Sequence, residues 1–164
     1  MEATTVTQNI PTRKTIIQKA TNFPLEVVLR RYAHEEKISS EVAHEHAREL
    51  KRYLALCALD PGENYGMRGP IDRLWHTFLI FTKLYAAFCK EVAGRFLHHE
   101  PTSEHEKKSD VSRARYQRFL EQYHVEFGEE PPAHLWPRLS QGTQQHDDCH
   151  TEGCGCAEGT CHAE

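Results

Sequence analysis

Apolar residues recur at helical spacing through most of the middle of the chain. Pro24 suits the first turn of a helix, and LEVVLRRYAHEEK continues it. Ser39-Ser40 can cap a second helix from Glu41 to near Leu59, where Asp60-Pro61-Gly62 breaks it. Its apolar positions are Val42, Leu50, Tyr53, Leu54 and Cys57. The loop Asp60–Gly69 holds three glycines and a proline, and Pro70 then opens a third helix. There Ile71, Leu74, Trp75, Phe78, Leu79, Tyr85 and Phe88 form a broad buried face, with Gly94 as the C-terminal cap. Residues 98–109 are polar, contain Pro101 and read as a connection. Ser109 or Asp110 caps a fourth helix, with Tyr116, Phe119, Leu120, Tyr123 and Phe127 on one side and Gly128 and Pro131-Pro132 as its stop. No stretch alternates at period two. The pattern predicts an all-α fold, a small four-helix assembly.

Charge and composition divide the chain further. Residues 140–164 carry Asp147, Asp148, Glu152, Glu158 and Glu164 with no Lys or Arg, a net −5, and lack Val, Ile, Leu, Met, Phe, Trp and Tyr. Nothing in that tail can join a core, so it is expected to be disordered unless a ligand orders it. Residues 1–19 read as a flexible polar arm, with Ile16 and Ile17 as its docking points, and residues 20–139 as the helical domain. The chain is 164 residues long, a one-domain length, and no apolar run is long enough to span a membrane. A formal charge of −4 argues against nucleic acid as a partner, and the strip Arg113, Arg115, Arg118 reads as a solvated helix face. The opening MEATTVTQNIPTRK has no apolar stretch of the secretory kind, so a cytoplasmic location is expected. Twelve histidines and six cysteines are the unusual figures, and they point to metal.

The segment PIDRLWHTFLIFTKLYAAFCKEVAGRFLHHEP combines Asp72, Trp75-His76, Tyr85-x-x-Phe88-Cys89 and Gly94-Arg95-Phe96-Leu97-His98-His99. Farther on come Tyr116, Phe119-Leu120, Tyr123, Phe127-Gly128, Pro131-Pro132 and Leu135-Trp136-Pro137. Together these resemble the glycine-rich-domain-containing-protein-like family of plants and bacteria, over about residues 70–137. The resemblance implies a helical fold with Asp72, His76 and His98/His99 as matched polar positions, and it names no reaction. Family members often continue into a glycine- and cysteine-bearing tail, whereas the tail here has only four glycines.

Asp72 and His76 stand four apart on one helix, so their side chains share a face. A histidine beside a carboxylate can ligate a metal, transfer a proton, or simply form a structural link. Reach limits who can join them. In an unbroken helix to Ala93, His76 lies about 25 Å behind the end at ~1.5 Å per residue. The five or six extended residues that follow reach back only ~20 Å. A site shared with His98 or His99 therefore requires the helix to break or bend near Cys89–Glu91. Otherwise His44, His46 or His124 is the partner. Glu41/His44 and Glu121/His124 imitate the Glu-x-x-His pairs of carboxylate-bridged di-iron bundles. With nineteen Glu and twelve His in the chain, two such pairs carry no excess over chance.

In the tail, Cys149, Cys154, Cys156 and Cys161 are spaced five, two and five apart, with His146, His150 and His162 beside them. Such thiolates and imidazoles suit Zn(II) or Cu(I), although the spacing is not that of a zinc finger. Cys57 and Cys89 lie on apolar faces and read as buried thiols. The leading expectation is a soluble metal-binding protein. The tail ligands are Cys149, His150, Cys154, Cys156, Cys161 and His162, and the domain site is drawn from Asp72, His76, His98 and His99. One alternative is a non-haem iron oxidoreductase using Asp72 and His76 plus a further His. The other is a protein-interaction module with a protein partner.

Overall fold

A computed structural model describes residues 12–99 and 109–139, and these are all-helical, without a strand. Six α-helices stand among the described residues: α1 (Arg13–Asn22), α2 (Glu26–Glu36), α3 (Ser40–Leu59), α4 (Pro70–Ile80), α5 (Thr82–Phe88) and α6 (Asp110–Phe127). None is long and apolar enough to cross a membrane.

Several helix ends are written in local chemistry. The Ser39 hydroxyl accepts the Val42 N–H at 3.3 Å to start α3, and the Ser109 hydroxyl accepts that of Ser112 at 3.2 Å to start α6. Gly128 ends α6 at φ 68°, a left-handed cap that glycine adopts without strain. Gly69, at φ 79° before α4, is doubly constrained. A Cβ there would lie 2.7 Å from the Leu135 carbonyl oxygen, so the closing segment packs directly on its backbone.

Helix α3 is the axis of the domain and packs against α1, α2, α4 and α6. Around it lie Tyr53, Phe119 and Trp136, with Trp136 stacked on Tyr53 at 6.0 Å and tilted against Phe119 at 4.5 Å. This aromatic centre holds α3, α6 and the closing segment 129–139 together by buried area.

The expected helix count is corrected in two places. Part of the expected N-terminal arm is α1, whose Ile16 and Ala20 are buried and whose Arg13 binds Glu126 at 2.6 Å. Two buried positions four apart, with Ile17 packed at their edge, are enough to dock a short helix but too few to show a period. The long third helix is also interrupted. The chain leaves helical geometry at Phe81 (φ −82°, ψ 60°), resumes as α5, then widens into a π-turn over Cys89–Ala93 before Gly94 at φ 66°. No proline or glycine marks Phe81, so the apolar period reads straight through the break. On α3 itself Val42 is exposed, and Cys57 is only half-buried. The expected disordered tail lies outside the described residues.

Candidate metal centre

The break at Phe81, the π-turn and the left-handed Gly94 turn the chain, and the residues after Gly94 come back to α4. Here Leu97 is buried in the core, His98 is exposed and the His99 side chain is enclosed. His99 thereby reaches α4. Its Nε2 stands 2.9 Å from Asp72 Oδ1, a hydrogen bond. His76, one turn along α4, places Nδ1 3.8 Å from Asp72 Oδ2, an ion-pair distance rather than a hydrogen bond. The two imidazoles face each other with centroids 4.5 Å apart. One ligand atom from each of Asp72, His76 and His99 lies within 4.8 Å of the others, and no other such group occurs among the described residues.

Exposure is graded across the cluster. The His99 side chain is 8% exposed, Asp72 35% and His76 52%. Trp75 is buried and its ring lies 4.3 Å from that of His99, closing the core side. The site is therefore an open notch, with an indole floor and a solvent-facing rim. Chemically it offers two imidazole nitrogens and one carboxylate, a donor set that suits borderline divalent ions. It is also a hydrogen-bonded carboxylate–imidazole pair that can carry a proton.

The other expected candidates go elsewhere. His98 leans on the Phe96 ring at 5.0 Å and does not join the cluster. His46 is buried and shares a hydrogen bond of 2.9 Å with the Tyr32 hydroxyl, which makes it a core histidine; burial holds its imidazole below the ordinary value. His44 bonds the backbone of its own helix at 2.7 Å. His124 pairs with Glu130 at 3.0 Å. None of Glu41, His44, Glu121 and His124 is buried, so the two Glu-x-x-His pairs build no buried di-iron core. Cys149, His150, Cys154, Cys156, Cys161 and His162 lie outside the described residues. The Cys57 residue is half-buried but its sulfur is enclosed, which pushes the thiol up to about 12, and burial raises Cys89 as well, so both stay protonated in the neutral range.

One polar centre had no counterpart among the candidates. Glu49 is wholly buried on α3. Its Oε2 accepts the Tyr123 hydroxyl at 2.9 Å and the Trp136 indole N–H at 3.0 Å, while Oε1 faces Arg48 at 3.2 Å and Arg52 at 3.5 Å. The only signal for it in the sequence is its place on the face of His46 and Tyr53, three before and four after it.

The UCP032817-like family model matches residues 12–128. That span covers α1 through α6 and includes all three residues of the cluster. The match carries the UCP032817-like description and lends no support to the glycine-rich-domain name. Neither a curated protein nor a solved structure matches the chain significantly.

Proposed function

The chain belongs to the UCP032817-like family, and we propose that its helical domain binds one divalent transition-metal ion through Asp72, His76 and His99. The observation that supports this reading is the convergence of three ligand atoms within 4.8 Å, drawn from α4 and from a segment 23 residues beyond His76. Donors bonded at ~2.0–2.2 Å to one ion lie up to about 4 Å apart, so small rotations of His76 and Asp72 close the remaining distance. Metal binding here replaces the His99–Asp72 hydrogen bond, and the ion competes with protons for the imidazole nitrogens. Three protein ligands and a half-exposed rim leave the solvent side for further ligands. An ion so held supplies Lewis acidity, or redox chemistry if it is iron, as two-His-one-carboxylate sites with open positions do.

The Cys/His tail is a second and chemically distinct locus in this proposal. Its four cysteines with His150 and His162 would take Zn(II) or Cu(I), whereas the domain's nitrogen and oxygen donors suit Fe(II) or Zn(II). The iron oxidoreductase reading stays attached to the domain site, where two imidazoles and a carboxylate converge among the described residues.

The test separates the loci. The full-length chain with Cys149, Cys154, Cys156 and Cys161 changed to Ser is titrated with Co(II), Zn(II) and, anaerobically, Fe(II). About one ion per chain is expected at a thiol-free site. Its loss in Asp72→Asn combined with His99→Gln assigns the site. Absence of any thiol-independent binding overturns the proposal.

A further inference from the structure

Leu97 is the residue by which the returning segment is fastened. It is buried, and both of its backbone polar groups are taken by side chains of the preceding turns. The Tyr85 hydroxyl donates to its carbonyl at 2.5 Å, and its N–H donates to the Cys89 sulfur at 3.5 Å. A segment outside regular structure has neither helix nor ladder to pair its backbone with, so these side chains supply the partners. The same Tyr85 hydroxyl accepts the Trp75 indole N–H at 3.1 Å. One buried oxygen thus fixes both the indole that backs His99 and the backbone two residues before it. The Tyr85 ring is itself held edge-on between Phe78 at 5.0 Å and Phe96 at 5.3 Å, which sets the aim of its hydroxyl. Cys89 belongs to the π-turn, whose widened geometry puts its sulfur beneath Leu97 instead of along the helix.

We propose that Tyr85 and Cys89 are positioning residues of the metal centre, clamping Leu97 by its carbonyl and its N–H so that His99 stays within reach of Asp72 and His76. The inference rests on the metal reading of that cluster, and neither residue touches the ion. The clamp also selects between the two histidines. A slip of the segment by one residue would turn His98 inward and His99 out. Burial raises both the phenol and the thiol above their ordinary values, so Tyr85 keeps its proton and remains a donor through the neutral range.

The experiment uses the full-length chain with the four tail cysteines changed to Ser, so that Co(II) reports the domain alone. Tyr85→Phe keeps the ring and removes both bonds; it is expected to weaken Co(II) binding by at least about tenfold and to alter the cobalt absorption band. Tyr116→Phe removes a comparable hydroxyl-to-carbonyl bond, to Pro137 at 3.0 Å, that involves neither Leu97 nor a cluster residue. It should leave cobalt affinity within about twofold of the parent. In metal-free protein, the nuclear Overhauser contact between the His99 ring and the Trp75 indole should weaken in Tyr85→Phe and persist in Tyr116→Phe. Should Tyr85→Phe fail to fold, Cys89→Ala frees the Leu97 N–H and is expected to cost about threefold in cobalt affinity. Parental cobalt affinity with an undiminished Overhauser contact in Tyr85→Phe, or parental affinity in Cys89→Ala, overturns the clamp. A parent chain that binds no Co(II) at the cluster defeats the metal reading instead, and the Overhauser contact then decides the clamp by itself.

Discussion

Glu49, midway along α3, and Asp72, in the first turn of α4, are both carboxylates set among aromatic rings. Glu49 is 0% exposed and receives an indole N–H, a phenol and two guanidinium groups. Indole and guanidinium groups donate but offer no lone pair to a cation, so that carboxylate is saturated and closed to ligands. Asp72 is about a third exposed, and its neighbours are imidazoles, which in their neutral form present an acceptor nitrogen to an ion as readily as a donor to a carboxylate. A carboxylate near aromatic residues is thus no sign of function by itself. What distinguishes the two is the kind of donor around each and whether water can reach it.

The largest effect expected from this contrast is on folding. Glu49→Ala leaves the Trp136 N–H, the Tyr123 hydroxyl and Arg52 facing a void. Removing one partner of a buried charged network costs about 3–5 kcal/mol. Urea unfolding should show that loss, while the metal affinity of the molecules that remain folded stays near that of the parent. A loss below ~1 kcal/mol would mean that water enters and re-pairs the donors, and that the closed centre is softer than its burial suggests.

Asp72→Asn should behave in the opposite way. The carboxylate is partly exposed and its pairs are of the kind worth ~0–1 kcal/mol, so unfolding should barely change. Metal affinity at the thiol-free site should fall by at least about tenfold, because an amide oxygen is a neutral and weaker ligand. If Asp72→Asn instead loses several kcal/mol of stability but binds metal normally, the roles assigned to the two carboxylates are reversed.

How far each centre was legible beforehand follows from the range of its contacts. Asp72 and His76 are four apart, a spacing any helix converts into proximity. His99 was within reach by chain length alone once the helix bends, but choosing it over His98 needed the anchored register of Leu97. The break itself falls at Phe81, a residue with no bias toward breaking helices. Glu49 was not legible. Its partners Tyr123 and Trp136 lie 74 and 87 residues away, and a glutamate on a long helix otherwise reads as solvent-facing. Helix ends at Ser39, Ser109 and Gly128 were legible because capping is settled between near neighbours in the chain. Ile16 and Ile17 were legible as docking points, but helix α1 was hidden because its fully buried positions are only Ile16 and Ala20, with Ile17 packing at the edge.

Two enclosed histidines sharpen the contrast further. His99 faces a carboxylate, whereas His46 faces the Tyr32 hydroxyl, and burial lowers its pKa, with Arg73 and His134 adding to this and Glu45 and Glu36 opposing it. Near the ordinary imidazole value of ~6.5, the unfolded chain takes up a proton at His46 that the folded chain still refuses. Stability at this residue is therefore present above that pH and lost as pH falls below it. His46→Gln should cost about 1 kcal/mol at neutral pH and flatten that part of the acid slope. Equal slopes in parent and variant between pH ~7 and ~5 would remove His46 as an acid-sensitive core group.

The smallest effect is expected from ending the chain after Leu139. Residues 140–164 hold no Val, Ile, Leu, Met, Phe, Trp or Tyr, so they bring no large apolar side chain to bury. The last described contacts of the closing segment are those of Arg138 with Glu130 and of Leu139 with the core, and the shortened chain keeps both. Helicity and melting temperature should then be nearly unchanged. Co(II) affinity at the Asp72 cluster should also persist, since none of its ligands is removed. What should vanish is thiol-dependent uptake of Zn(II) or Cu(I), measured against a competing chelator. A drop of several degrees in melting temperature would show that the tail packs on the domain. A parallel loss of cobalt affinity would show that the tail supplies a ligand to the cluster, because an exposed rim such as that of His76 is where a thiolate or imidazole from elsewhere in the chain could complete the coordination sphere.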